Sequence, residues 1–267
     1  MEHLIKKGLT PIGIQENGEI FGLSSEERPG ILHLLGRTGQ GKSITIETIT
    51  ISDIFNNRGG MLIEPYGDLI KDVQSYIPAD KGDKVTVFEA QTGTLEENIA
   101  KFQREINFVE MKNDGQKFLL CKIDYQTLGG DVARSLGIFL VGQFLQIVGG
   151  ENRTLVIDEA HNFIDEQTLE QILKSKEKKL SCILSDQTCL HYRTDILENL
   201  LKTVDHIICY AVDTTTANLI NKFHPEMNTG ELTTLEKFNF ATKINAQTVS
   251  PTKLVLKGIF PIPYPKK

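Results

Sequence analysis

The chain alternates short, continuously apolar runs with longer segments whose apolar positions recur every three to four residues. Ile31–Leu35 is the first such run, and a glycine-rich turn separates it from a helical segment at Lys42–Phe55. Gly60–Glu64 is the second; it stops at Pro65 and leads through Gly67 into a stretch where Leu69, Ile70, Val73 and Tyr76 share one helical face. Lys84–Phe88, an amphipathic segment over about Leu95–Val109, and Phe118–Ile123 continue the alternation. Asp131 then caps an apolar helix through Val148, and Thr154–Asp158, Cys182–Ser185 and His206–Val212 supply further runs between helical segments. Strands that are apolar throughout are strands buried on both faces. The pattern therefore predicts an α/β fold, a mostly parallel sheet flanked by helices.

The end of the chain is less regular. Leu254–Phe260 reads as an antiparallel edge strand near the C-terminus, and Ile262–Lys267 as a tail, because its prolines donate nothing to a ladder. With no repeat, linker or low-complexity tract in view, residues 1–267 read as one domain, with 1–29 as a lead-in and 240–267 carrying the edge strand and tail.

Composition narrows the class. The chain has 267 residues, 40% apolar and 24% charged, with 9 prolines, which argues against disorder, collagen-like repeats and a disulfide miniprotein. A net charge of −6 makes the whole surface a poor generic magnet for nucleic acid, while leaving room for a local basic lining. Ser135–Gly150 is uncharged but contains Gln143 and Gln146 and falls short of the roughly 20 residues that span a bilayer. A buried helix is the better reading, no transmembrane segment is expected, and without a signal peptide the expected location is cytoplasmic. Cys121, Cys182, Cys189 and Cys209 show no CxxC spacing, and they read as small hydrophobes rather than metal or redox groups.

The chemistry begins at Gly36–Ser43, GRTGQGKS, between an apolar strand and a helix. Glycines let backbone N–H groups curl round phosphates, and the helix N-terminus adds its partial positive charge. Gly36, Arg37, Thr38, Gly39, Gln40, Gly41, Lys42, Ser43 and Ile44 are the expected nucleotide-binding residues, with Lys42 reaching the β/γ oxygens and Ser43 holding Mg2+. A chance glycine-rich turn would share the flexibility but would not require the terminal lysine and serine.

Thr154–His161, TLVIDEAH, supplies the second half. Asp158 at the end of an apolar run suits Mg2+, and Glu159 suits the polarisation of an attacking water. An acidic helix cap is the competing reading, and the upstream phosphate loop tips the balance towards hydrolysis. Gln187, just past the Cys182–Ser185 strand, is placed to contact both water and γ-phosphate, or else to make a local loop hydrogen bond.

These residues resemble the HerA/FtsK superfamily of ring-forming motor ATPases, especially the TraG/TraD-like coupling proteins of type IV secretion and conjugation. GRTGQGKS matches their GxTGxGKS loop, Gly60–Pro78 resembles their DPHGD segment, LVIDEAHNF their catalytic strand, and LSCILSDQ the strand leading to their glutamine. The resemblance covers most of the chain and implies a RecA-like P-loop NTPase core, ATP with Mg2+, a hexameric homo-oligomer, and DNA as the substrate moved. It also implies a secretion or DNA-processing protein partner that recruits the motor to the inner face of the membrane.

Four departures stand out. Glu64 and Tyr66 replace the Asp and His of DPHGD; the following segment has no room for the large helical insertion of coupling proteins; their membrane anchor has no counterpart; and His206–Asp213 lacks the arginines found near its equivalent. For the charge-stabilising arginine given in trans, Arg153 ranks ahead of Arg193 and Arg134. Lys174–Lys179, KSKEKK, is the strongest cluster for DNA phosphates, followed by Lys112 and Lys117; both also read as solvated surface. A protein-secretion or pilus-assembly ATPase, and a nucleotide-controlled assembly module without sustained work, are the alternatives.

Overall fold

The computed structural model describes residues 8–14, 18–147, 153–244 and 256–258. In chain order its strands are β1 (Leu9–Ile14), β2 (Ile20–Ser24), β3 (Gly30–Leu35), β4 (Gly59–Glu64), β5 (Val85–Glu89), β6 (Phe118–Lys122), β7 (Arg153–Asp158), β8 (Ser181–Asp186), β9 (His206–Cys209), β10 (Asn239–Lys243) and β11 (Leu256–Gly258). Its helices are α1 (Lys42–Phe55), α2 (Asp68–Tyr76), α3 (Leu95–Glu105), α4 (Phe108–Asn113), α5 (Tyr125–Leu128), α6 (Gly130–Ile147), α7 (Glu166–Ser175), α8 (Thr194–Thr203), α9 (Thr214–Phe223) and α10 (Thr229–Thr234).

All described strands join one sheet in the order β2-β1-β11-β10-β9-β3-β8-β7-β4-β6-β5. From β9 to β5 every neighbouring pair is parallel; from β9 to β2 every pair is antiparallel. The continuous apolar runs explain the layering, because successive side chains point to opposite faces. Ile31, Met61, Leu155, Cys182 and Ile207 enter the core under α3 and α6 to α9, while Leu32, Leu62, Val156, Ile183 and Ile208 enter the core under α1 and α2. Both faces are thus covered, as the sequence predicts.

The departures are local. The amphipathic segment Leu95–Val109 spans α3 and the start of α4: Asn107 accepts from the Glu110 amide (3.1 Å) and caps α4, while a reciprocal Thr94–Glu97 capping box starts α3. Strand β9 ends at Cys209, three residues before the predicted Val212, because Tyr210 turns onto the phosphate loop. The lead-in holds a β1/β2 hairpin that the sequence conceals behind Pro11 and Gly13, where the ladder is bulged.

That hairpin also corrects the placement of Leu254–Phe260. Its described part, β11, pairs with both β10 and β1, so it lies inside the sheet, and β2 and β5 form the edges. Residues 254, 255, 259 and 260, the predicted tail, and Val148 fall outside the described residues. Among the described residues no helix is long and apolar enough to cross a membrane. Helix α6, which carries the described part of the uncharged segment, is instead packed, with Leu136, Leu140, Val141 and Phe144 fully buried. The four cysteines are buried too, and burial pushes the Cys121, Cys182 and Cys209 thiols up.

Candidate nucleotide and catalytic site

The site lies where the parallel strands end. After β3 the chain bends through Gly39 (φ 75°) and Gly41 (φ 128°), conformations that glycine adopts without strain, and α1 starts at Lys42 with no side-chain cap. The free amides of the first helical turn therefore face the loop. Lys42 Nζ donates to Gly36 O (2.6 Å), folding the lysine back over the loop. Burial lowers the Lys42 pKa, with the charges of Glu159, Asp158 and Asp186 opposing it. Arg37, Thr38, Gly39 and Ser43 are exposed, and Gln40, Gly41 and Ile44 are half-buried. Arg37 donates to Val212 O (2.6 Å), tying the loop to the segment after β9.

Tyr210, which sequence reasoning did not single out, shapes this loop. A Cβ on Gly36 would lie 2.6 Å from Tyr210 Cβ, and one on Gly41 would lie 3.0 Å from the Tyr210 ring. The phenol is held by a 2.6 Å hydrogen bond shared with Thr45 on α1. The signal for it was positional only: a bulky residue at the end of a strand beside the phosphate-loop strand.

Strand order brings the candidate catalytic groups together. Strand β8 is inserted between β3 and β7, so its end stands between the phosphate loop and the end of β7. Gln187 fills that gap. Its Oε1 accepts from Thr38 Oγ1 (2.9 Å) and its Nε2 donates to Glu159 Oε1 (2.8 Å), linking loop and carboxylate through one side chain. Glu159 itself sits in the left-handed region (φ 46°, ψ 56°), a conformation that costs about 1 kcal/mol or more for a residue of this size.

The acids here are crowded. Burial and the adjacent Glu159 charge push Asp158 up to about 6, against a hydrogen bond from the Glu159 backbone and attraction from Lys42. Burial, aided by Asp158, pushes Glu64 up to about 7, although the Ile70 amide donates to it (2.6 Å). Glu64 thus caps the start of α2, which explains how glutamate serves at a position where the resemblance has aspartate. Tyr66 is 53% exposed at the mouth, and partial burial with the Glu159 and Asp158 charges raises its phenol.

Beneath Glu159 lies a polar network. Asp186 accepts from His33 Nε2 (3.0 Å), Tyr192 OH (2.6 Å), and both the amide and ring nitrogen of His161 (3.0 Å each). Burial alone would raise Asp186; the hydrogen bonds from His161, His33 and Tyr192 outweigh it and hold the carboxyl at about 2. Glu159, His161 and Asp186 have ligand atoms within 4.8 Å of one another, yet His161 Nδ1 is spent on Asp186, so a hydrogen-bond network describes the cluster better than a cation site. Helix α6 anchors the same loop: Arg134 donates to His161 O (3.0 Å), Asn162 O (2.9 Å) and Ile164 O (3.4 Å), and a Cβ on Gly137 would strike Phe163 at 2.0 Å.

The structure does not bring Arg153 to this site. Arg153 starts β7 at the opposite end of the sheet from Asp158, and its buried guanidinium donates to Met111 O (2.6 Å) and Lys112 O (3.1 Å). These carbonyls hold Arg153 Nη2 at the end of the sheet away from the phosphate loop of its own chain. Arg193, by contrast, lies past Gln187 with its side chain 68% exposed beside Asp195. The lysine clusters also sit at the far end of the sheet, before β8 and β6. Lys174 pairs with Glu170 (2.6 Å), and Lys117 with Glu110 (2.7 Å).

No family model and no curated protein matches this sequence. Solved structures do match its fold. The bacterial conjugative coupling protein TrwBΔN70 superposes with a TM-score of 0.68 at 10% identity, over 92% of this chain and 89% of that one. TrwB in complex with the GTP analogue GDPNP gives 0.68 at 9% identity, over the same shares of the two chains. B204, the DNA-packaging ATPase of Sulfolobus turreted icosahedral virus, gives 0.54 at 17% identity, over 87% of this chain and 100% of that one. At these identities the likeness is one of fold: the chain has the α/β, RecA-like architecture of a coupling protein and a packaging ATPase, as the resemblance in its motifs implied.

Proposed function

We propose that the protein is a Mg2+-dependent ATPase whose hydrolysis drives DNA through a ring of identical subunits. The carrying observation is Gln187, which joins Thr38 of the phosphate loop to Glu159 at the end of β7. A binding module needs no such bridge. An enzyme that must convert loss of the γ-phosphate into movement needs a group that feels both the loop and the catalytic carboxylate.

Lys42 and the loop amides hold the β- and γ-phosphates. Glu159 accepts a hydrogen bond from the attacking water and orients it in line, so that the new P–O bond forms as the bond to the β-phosphate oxygen breaks and the water proton moves to the carboxylate or the departing phosphate. The donor set fits a hard divalent cation, since Ser43 and Asp158 are oxygen donors and the buried acids outweigh Lys42 in charge. Mg2+ held by Ser43 and Asp158 would neutralise charge on the phosphate oxygens. The fold shared with a conjugative coupling protein and a DNA-packaging ATPase supports DNA as the substrate, and Arg193 takes the place of Arg153 as the group offered to a neighbour.

ATP turnover with and without single- and double-stranded DNA tests the proposal, alongside Lys42→Ala and Glu159→Gln. DNA-stimulated turnover lost in both variants is the expected result. Absence of turnover under ring-forming conditions would sink the motor, and stimulation by a protein partner alone would reassign it to secretion. ATP-dependent assembly without turnover would leave only the assembly module.

A further inference from the structure

The motifs fix the phosphate end of a nucleotide and leave its base without a partner. The strand order says where the base must go. Gln187, Glu159 and Asp158 crowd the β8/β7 side of the loop, so the γ-phosphate lies there. A triphosphate laid with its γ-phosphate there would cross the loop towards Ser43 and Ile44 and bring its nucleoside out on the β9/β10 side.

Phe238 stands on that side. It immediately precedes β10, its amide donates to Gln40 O of the phosphate loop (3.1 Å), and its ring carbon Cδ1 would lie 3.3 Å from a Cβ on Gly41. The ring is only partly buried, and the Lys237 ammonium lies 4.9 Å from its centroid. Its backbone is the telling feature. Phe238 has φ 68°, in a tight turn where the Asn239 amide donates to Glu236 O (3.0 Å). Glycine or asparagine takes that conformation without strain, whereas a bulky ring there is an outlier of the kind that collects at ligand clamps.

We infer that Phe238 is the platform on which the base of the bound nucleoside triphosphate stacks. The inference rests on the nucleotide reading of the P-loop and adds the residue that reads the nucleoside. An exposed cation–π contact is weak, so displacing Lys237 from the ring costs little.

Two variants test it. Phe238→Gly keeps the backbone conformation, removes the ring, and should leave the melting temperature close to that of the parent. Calorimetric titration should then show ATP affinity reduced about 5- to 100-fold, the range for loss of a base-stacking aromatic, with the affinity for inorganic tripolyphosphate unchanged. The chain has no tryptophan. Phe238→Trp therefore creates the chain's single tryptophan at the platform, and ATP should quench its selectively excited emission while tripolyphosphate does not. Equal loss of both ligands in Phe238→Gly, no loss of either, or a Trp signal indifferent to saturating ATP would overturn the platform while the P-loop reading stands. Failure of the parent protein to bind either ligand would instead overturn the P-loop reading, and the platform with it.

Discussion

The two ends of the parallel strands bury similar charged residues and treat them oppositely. At the N-terminal ends Arg28 donates to Asp53 (2.5 Å) and Thr154 (3.1 Å), Thr154 donates to Asp53 (2.7 Å), and Arg58 lies 3.4 Å from the second Asp53 oxygen. Two guanidiniums here share one carboxylate, which meets both of them and the Thr154 hydroxyl. At the C-terminal ends Asp158 and Glu159 lie in the field of Lys42 and Glu64 in that of Asp158, and burial, reinforced by these neighbouring acids, pushes the Glu64 and Asp158 carboxyls up. Charges paired inside the protein stabilise architecture, whereas acids gathered beside a lysine at a glycine-rich loop mark the candidate site.

The sharpest way to break this comparison is Glu159→Gln. Turnover should fall about 10²- to 10⁴-fold, the contribution of a positioned general base. Because the substitution also removes a negative charge that raises Asp158, thermal stability should hold or rise. Phosphate release and a thermal melt on the same sample read both effects. A folded, fully active variant would remove Glu159 from the mechanism.

Arg28→Met probes the other end. Leaving Asp53 without its closest partner should destabilise the protein by about 3–5 kcal/mol in urea unfolding. The turnover of the molecules that remain folded should be unchanged. Activity lost in proportion beyond the folded fraction would show that the two ends are not independent.

The sequence made one of these ends legible and hid the other. GRTGQGKS and LVIDEAH are contiguous, and their chemistry demands fixed neighbours, so Lys42, Asp158 and Glu159 stand where their spacing predicts. Gln187 was legible because β8 ends just before it, although its bridging role depends on strand order, which no local pattern carries. The Arg28–Asp53–Thr154 cluster joins residues 25 and 126 positions apart and has no signature. Arg153 shows the same gap: nearness in sequence to Asp158 does not bring its side chain to the same end of the sheet. The β1/β2 hairpin was obscured by Pro11 and Gly13, residues that weaken a strand pattern but are accommodated here by a bulge.

Asp186 lies between the two regimes, a buried acid that is fully satisfied yet sits under the loop that carries Glu159 and His161. Its carboxyl is held at about 2, below an ordinary 3.8, so it contributes stability above pH 4 that is lost as the pH falls through 2. The difference corresponds to roughly 2 kcal/mol. His33, His161 and Tyr192 face it directly, and Lys42 lies within its field. Asp186→Asn should therefore lower stability at neutral pH and flatten the acid limb of the stability curve between pH 2 and 4. An unaltered acid limb would mean that the network does not hold the carboxylate.

Arg134 should give the smallest effect. Its three hydrogen bonds go to carbonyls of the loop after Glu159, and the side chain is exposed, so water replaces part of what Ala removes. Arg134→Ala should cost about 1 kcal/mol or less in stability and lower kcat a few-fold, because Glu159 sits in a strained conformation that its surroundings must maintain. KM should stay near the parent value, since the phosphate loop is untouched. Arg134→Lys keeps the charge but not the fork that reaches three carbonyls, and it should resemble the alanine variant. Full recovery by lysine would assign the effect to charge near the site, and a loss as large as that of Glu159→Gln would make Arg134 a participant in phosphoryl transfer rather than a support for the loop.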